Sequence, residues 1–284
     1  MGLLIYLFGS CLFFLLAYKF VGGGLARAFK LSASTPTPAH TLRDQVDYEP
    51  VSASRLLPQH FSAISAAAPI VGPIMAGMFF GWGPAWLWVL LGAAFVGGLH
   101  DFLSLLASVR TNGHSIARLV QDSMTHRAHL LFLVFVWLTL IYVIIAFTDV
   151  TAAAFVQPAS IENADAPGPA VASSSAMYLG LALVMGLVVR FGGLQAGTAK
   201  AIFLPLVLAA IVAGRHLPLD LAGLGLTSPQ KTWGFILLVY CLVAAVVPVW
   251  LLLQPRGELG GYFLYAVMIV AGLGIISGSL TGAF

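Results

Sequence analysis

Eight apolar runs dominate this chain, near residues 2–21, 61–80, 85–109, 129–156, 176–191, 198–214, 232–253 and 262–283. Each is long enough, or nearly so, to cross about 30 Å of hydrocarbon, which takes about 20 helical residues. A bilayer offers peptide groups no water, so runs of this kind must become helices. Charge points the same way. Only 8% of residues are charged, against roughly 25% in soluble domains. A chain so poor in charge cannot cover a water-facing surface. The sequence therefore predicts an all-α integral membrane protein of about eight transmembrane helices, a single transmembrane domain over 1–284 in contact with the lipid bilayer.

The basic residues orient it. With the N-terminus outside, one side receives Lys19, Arg27, Lys30, Arg43, Arg55, Arg110, Arg118, Arg127, Arg190, Lys200 and Arg256, and the other only Arg215 and Lys231. Cytoplasmic loops carry the excess of Lys and Arg, so both termini are expected on the outer side. The stretch 22–60 is then a cytoplasmic loop, and 157–175, with Pro158, Glu162, Asp165, Pro167, Pro169 and three serines, an external flexible loop. No basic residue precedes the first apolar run, which is read as a retained anchor rather than a secretory signal. Cys11 and Cys241 lie in separate apolar runs with no CxxC spacing, which suggests neither a disulfide framework nor a thiolate metal site.

The second run is the least regular. In Gln59-His60-Phe61-Ser62-Ala63-Ile64-Ser65-Ala66-Ala67-Ala68-Pro69-Ile70-Val71-Gly72-Pro73, two prolines sit at membrane depth. Proline lacks the amide hydrogen and clashes with the carbonyl four residues back, so a helix broken at Pro69/Pro73 is expected. Non-helical backbone survives at that depth only inside protein or beside a wet cavity. This makes Ser62, Ser65, Ala68, Pro69, Ile70, Val71, Gly72 and Pro73 the candidate substrate-binding residues. Ser62 and Ser65, three apart, share a helix face. The amides near Ile70, Val71 and Gly72 are placed to meet an anionic group at a half-helix N-terminus.

Asp101 lies about 12 Å from the inner end of its run at helical rise, where a carboxylate is costly and usually faces a cavity, an ion path or a partner. It is the first candidate for proton or ion coupling. Asp149, at similar depth from the other side, and His60 and His100, which titrate near physiological pH, complete that set. Pairing of Asp101 with His100, and plain packing for the histidines, are the structural alternatives. Arg256, directly after a run, reads as an inner-side anchor, and Trp82, Trp86 and Trp88 as an interfacial belt.

No HExxH, GxSxG, Walker A or GxGxxG pattern occurs, and nothing calls for a cofactor, a metal, a nucleic acid or an enzymatic reaction. Gly274, Gly278 and Gly282, at four-residue spacing, form a flat stripe of the kind that admits a close helix. The stripe fits the chain's own helices as well as it fits a second copy or a second transporter half.

Several blocks resemble the carbon starvation protein A family. They are Tyr18-Lys19-Phe20-Val21-Gly22, the HFxxIxxAxPIVGP block from His60 to Pro73, Gly98-Leu99-His100-Asp101-Phe102, Ser108-Val109-Arg110-Thr111-Asn112-Gly113-His114-Ser115-Ile116 and Pro248-Val249-Trp250-Leu251-Leu252-Leu253-Gln254-Pro255-Arg256. The resemblance implies a multi-pass secondary transporter of the bacterial inner membrane, of the broken-helix, inverted-repeat type, active in nutrient starvation. It implies proton-coupled uptake of a small carboxylate such as pyruvate, or of peptides. Family members run longer, so the chain is read as a short or partial member. The alternative is a truncated, non-transporting subunit that binds or modulates a full-length transporter.

Overall fold

The computed structural model describes residues 2–44, 48–121, 124–156, 167–221 and 228–282. Eight helical spans in it are long and apolar enough to cross a membrane. In chain order they are α1 (Gly2–Ala28), a span Ala53–Phe80 made of α2 (Ala53–Ile64) and α3 (Ala67–Phe80), α4 (Trp82–Arg110), α5 (His126–Ala154), α6 (Pro167–Phe191), α7 (Ala196–Gly214), α8 (Pro229–Val246) and α9 (Leu253–Thr281). The protein is an all-α integral membrane protein. Wide π-type turns interrupt α1 at Tyr18–Gly22 and α4 at Gly92–Gly97, and both stand in glycine-rich sequence.

Punctuation follows side-chain chemistry. Pro248 lies just beyond the end of α8, where a proline cannot continue a helix. Gly81 separates α3 from α4 at φ +84°, a left-handed conformation that only glycine adopts without strain. Gly81→Ala is accordingly expected to lower stability by about 1–3 kcal/mol, which thermal denaturation in detergent would measure.

Several boundaries differ from the sequence reading. The stretch 22–60, predicted as a loop, is helical to Ala28, over the single turn Pro38–Thr41, and again from Ala53. Of the predicted loop 157–175, residues 167–175 belong to α6, and 157–166 lie outside the described residues. Ser173 and Ser174 conceal helix because their hydroxyls turn back onto the chain, Ser173 Oγ donating to the Pro169 carbonyl at 3.1 Å and Ser174 Oγ to the Ala170 carbonyl at 2.9 Å. Similarly, α9 begins nine residues before the predicted 262, because Arg256 and Glu258 interrupt the apolar run without interrupting the helix.

The break in the second span is present, but upstream of the prolines. It falls at Ser65 and Ala66, where Ser65 N–H still donates to Phe61 O at 2.9 Å and Ala66 N–H donates to Ile64 O at 2.8 Å. The ring of Pro69 excludes the carbonyl four residues back, which is that of Ser65. Pro69 itself then falls in the first turn of α3, where a missing N–H costs nothing. Pro73 is carried inside α3.

The chain divides into two compact units, one of Met1–Ser52, Ile70–Thr139 and Met268–Phe284, the other of Ala53–Pro69 and Leu140–Val267. In the first, Tyr6 of α1 packs edge-on against Trp82 and Trp86 of α4, and Trp86 Nε1 donates to Ser10 Oγ at 3.0 Å. Much of its surface is apolar; Met78, Phe79 and Phe80 are each about three-quarters exposed. Gly274 has open space around it, whereas Gly282 lies past the end of α9 at φ +74° and so is not part of a helical stripe. The second unit holds the packed core: Ala182 and Met185 of α6, Ala199, Phe203 and Val207 of α7, and Leu259 of α9. Small residues set its close approaches. Gly214 lets α7 meet Ser174 of α6, and Gly261 brings α9 onto the Pro58 carbonyl of α2.

Candidate functional site

The second unit encloses a cavity of about 850 Å³. Six helices line it, each through residues three or four apart on one face. α2 presents Gln59 and Ser62, and the break that follows it Ser65 and Ala66; α5 presents Thr148 and Thr151; α6 presents Ser174, Ser175 and Tyr178. Val207 and Ile211 of α7, Tyr240 and Cys241 of α8, and Arg256, Gly257, Gly260, Phe263 and Leu264 of α9 complete the wall. Along α9 the lining runs from Leu253 to Leu264, about 16 Å at helical rise. The cavity is long, apolar on much of its wall and studded with hydroxyls.

Among the described residues, Arg256 is the one charged side chain in that lining. Its Nη1 lies 3.3 Å from Tyr240 Oη, and Tyr178 Oη donates to its main-chain carbonyl. One tyrosine steers the guanidinium and the other fixes the backbone that carries it. Guanidinium presents a planar fork of donors that matches a carboxylate. Some hydroxyls are committed: Thr151 Oγ1 donates to Phe147 O at 2.7 Å, and Ser174 Oγ to Ala170 O. Ser62 and Ser65 have no partner among the described residues, and they stand beside the break, where helix ends leave backbone groups unpaired. The site can therefore take an anionic head at Arg256 and donate hydroxyl hydrogen bonds to the rest of the molecule.

Gly260 shapes the cavity wall. A Cβ there would sit 2.8 Å from Ser62 Oγ and 2.9 Å from Tyr178 Oη. Ser62 Oγ ends a side chain that can turn aside, whereas Tyr178 Oη is held by the Arg256 carbonyl. Gly260→Ala is therefore expected to cost about 1 kcal/mol while narrowing the cavity, so ligand affinity and the melting temperature both fall.

A smaller cavity of about 750 Å³ adjoins the same unit, lined by Thr148, Asp149, Ser228, Gln230 and Lys231 among others. Gln230 Nε2 donates to Asp149 Oδ1 at 3.0 Å. Thr148 lines both cavities.

Of the predicted site residues, Ser62 and Ser65 line the main cavity and Asp149 the smaller one. His60, half-buried on α2, lines neither. Pro69 lies in the first turn of α3; the side chain of Ala68 lies outside the described residues. Ile70, Val71, Gly72 and Pro73 continue α3 within the first unit and line neither cavity. Because α3 starts at Ala67, the amides of Val71 and Gly72 are engaged inside the helix, and the unpaired ones are those of its first turn. Asp101 and His100 pair with each other in the first unit, His100 Nδ1 to Asp101 Oδ1 at 3.1 Å.

Among the lining residues, Arg256, Tyr178 and Tyr240 stand outside the site predicted from the sequence. An inner-side anchor role for Arg256 is compatible with its place in the cavity wall. One signal was available: Pro255 two residues after Leu253 is a helix-start mark, and it would have placed Arg256 and Glu258 on a helix rather than in a loop.

A family model described as "Carbon starvation protein CstA" matches residues 1–280. Among curated relatives, the chain is 33% identical over 263 residues to a peptide transporter, CstA, of Bacillus subtilis (strain 168), covering 92% of this chain and 42% of that protein. It is 31% identical over 269 residues to a pyruvate/proton symporter, BtsT, of Escherichia coli (strain K12), covering 93% of this chain and 36% of that protein. A peptide transporter, CstA, of the same organism is 30% identical, with 94% and 37% covered. The chain thus spans about two fifths of the length of these relatives. No solved structure matches.

Proposed function

We propose that this chain, which belongs to the carbon starvation protein CstA family, carries the substrate-binding part of a secondary transporter for a small carboxylate such as pyruvate, or for peptides. The observation that carries this reading is the lone guanidinium of Arg256 at one end of a hydroxyl-studded cavity. A carboxylate is the group common to pyruvate and to a peptide C-terminus, and a guanidinium fork binds it in two places. Ser62 and Ser65, on the half-helix that ends at the break, would hydrogen-bond the rest of the substrate, as broken helices do in transporters.

In this reading the protein sits in the bacterial inner membrane with both termini periplasmic, since the basic residues gather on one side. It imports its substrate with a proton and serves nutrient scavenging. The remaining wall comes from a second transporter half or a second copy, for which Gly274 and Gly278 offer a flat approach.

Binding of radiolabelled pyruvate and of a labelled dipeptide to the purified chain tests the core of it. Saturable binding of at least one, competed by other small carboxylates and not by their amides, is expected. Binding of neither would remove the reading. Proton coupling is tested separately, by accumulation in vesicles under an inward proton gradient that collapses with an uncoupler.

A further inference from the structure

Glu258 is the one buried charged side chain among the described residues, 1% exposed, and the substrate cavity does not use it. Two cations converge on it. Arg55 Nε of α2 lies 3.4 Å from Oε2, and Lys200 Nζ of α7 lies 3.2 Å from Oε1. One turn further along α9, Tyr262 Oη sits 3.4 Å from Lys200 Nζ and donates to the Ser54 carbonyl of α2 at 2.9 Å. The cluster ties the N-terminal parts of α2, α7 and α9 together.

Its position gives it leverage. Arg256 and Glu258 are two residues apart, about 200° around a helix, so one turn of α9 aims a guanidinium at the cavity and a carboxylate away from it. Beside the cluster the two backbones meet: a Cβ at Gly261 would collide with the Pro58 carbonyl, and one at Gly257 would lie 3.0 Å from Gln59 Cγ. Gln59 and Gly257 both line the cavity. The contact that the ion cluster holds is therefore the cavity wall at the Arg256 end.

Two protonation states favour two geometries. An ionised Glu258 is held by both cations, and it holds α2 against α7 and α9. Were α2 to withdraw, Glu258 would lose Arg55, one of its two cations, and a buried charge with fewer partners is less stable. Proton binding and the closed arrangement thus oppose each other, and linkage requires each to weaken the other. Arginine does not give up its proton, so the change of charge falls to Glu258.

We propose that Glu258 is a proton-binding site whose protonation frees the start of α2 from α7 and α9 and opens the cavity at its Arg256 end. The groups that face it are Arg55 from α2 and Lys200 from α7; on α9 itself, Tyr262 contacts Lys200 and Arg256 points the other way. The proposal holds whatever the cavity binds, so its test needs no substrate.

The test is an electron-paramagnetic distance measurement on the full chain in lipid nanodiscs. Native cysteines are removed (Cys11→Ser, Cys241→Ser), and spin labels are placed through Leu57→Cys on α2 and Leu206→Cys on α7, both exposed. One distance is expected at neutral pH, and a second, longer one that grows as pH falls. Glu258→Gln, which imitates the protonated acid, should give the longer distance at every pH. Lys200→Gln removes one of the two cations that hold Glu258, so it should populate the longer distance already at neutral pH. A wild-type distance independent of pH overturns the proposal, as does a Glu258→Gln protein that still titrates. Should Glu258→Gln fail to fold, Lys200→Gln decides alone, and a Lys200→Gln protein with the wild-type distances overturns the proposal.

Discussion

Replacing Arg256 by glutamine is expected to weaken binding of a small carboxylate by on the order of 30-fold, about 2 kcal/mol. The figure is the lower part of the range for hydrogen bonds to a charged group, because Arg256 keeps an exposed face. Removing it leaves the cavity with no cation, while Tyr240 and Tyr178 remain to hold the shape. Arg256→Lys should fall between the two. It restores the charge and loses the planar fork that meets both carboxylate oxygens. Equilibrium binding to the three proteins checks the series, with a neutral amide analogue as control: its weak binding should be unchanged by either substitution. Equal carboxylate affinity in all three would mean that Arg256 is an anchor and nothing more.

The largest effect on stability is expected from Gly261→Val. At Gly261 the obstacle to a Cβ is the Pro58 carbonyl, which is backbone and cannot turn away. The substitution must push α2 off α9, stretching the Arg55–Glu258 contact and the Tyr262–Ser54 hydrogen bond. Overpacking alone costs about 1–3 kcal/mol, and a strained buried ion pair adds to it, so a loss of about 3 kcal/mol or more is expected. Gly272→Ala on the same helix, with open space around it, should be close to neutral. Thermal denaturation of both variants in one detergent makes the comparison.

Membrane-length helices were legible because the bilayer leaves an apolar run few choices. What blurred them was polarity inside helices. Serines 173–175 looked like loop, although a serine on a helix can donate to the carbonyl one turn back and remain helical. Arg256 and Glu258 looked like loop for the same reason, and that hid both the cavity's cation and the buried carboxylate. The broken span was legible from Pro69, but a proline acts on the carbonyl four residues earlier, so the break stands at Ser65 and Ala66. That shift matters for the site. It leaves Ser62 and Ser65 on the cavity and carries Ile70 to Pro73 onward into α3. Asp101 is informative as a costly charge, yet cost alone does not say which partner relieves it. Here the partner is His100. Tyr178 and Tyr240 carry no sequence signal of their own, since a tyrosine in an apolar run reads as packing until a neighbouring helix supplies Arg256.

Cys241, in the wall of the second unit's cavity, gives a native reporter of whether substrate binds there. With Cys11 changed to serine, the rate of alkylation of Cys241 can be followed with and without pyruvate or a dipeptide. At least one of these ligands is expected to slow the reaction saturably, and the corresponding amide to leave it unchanged. If both bind to the purified chain while Cys241 reacts at its unliganded rate, the substrate sits elsewhere and the assignment of this cavity is wrong.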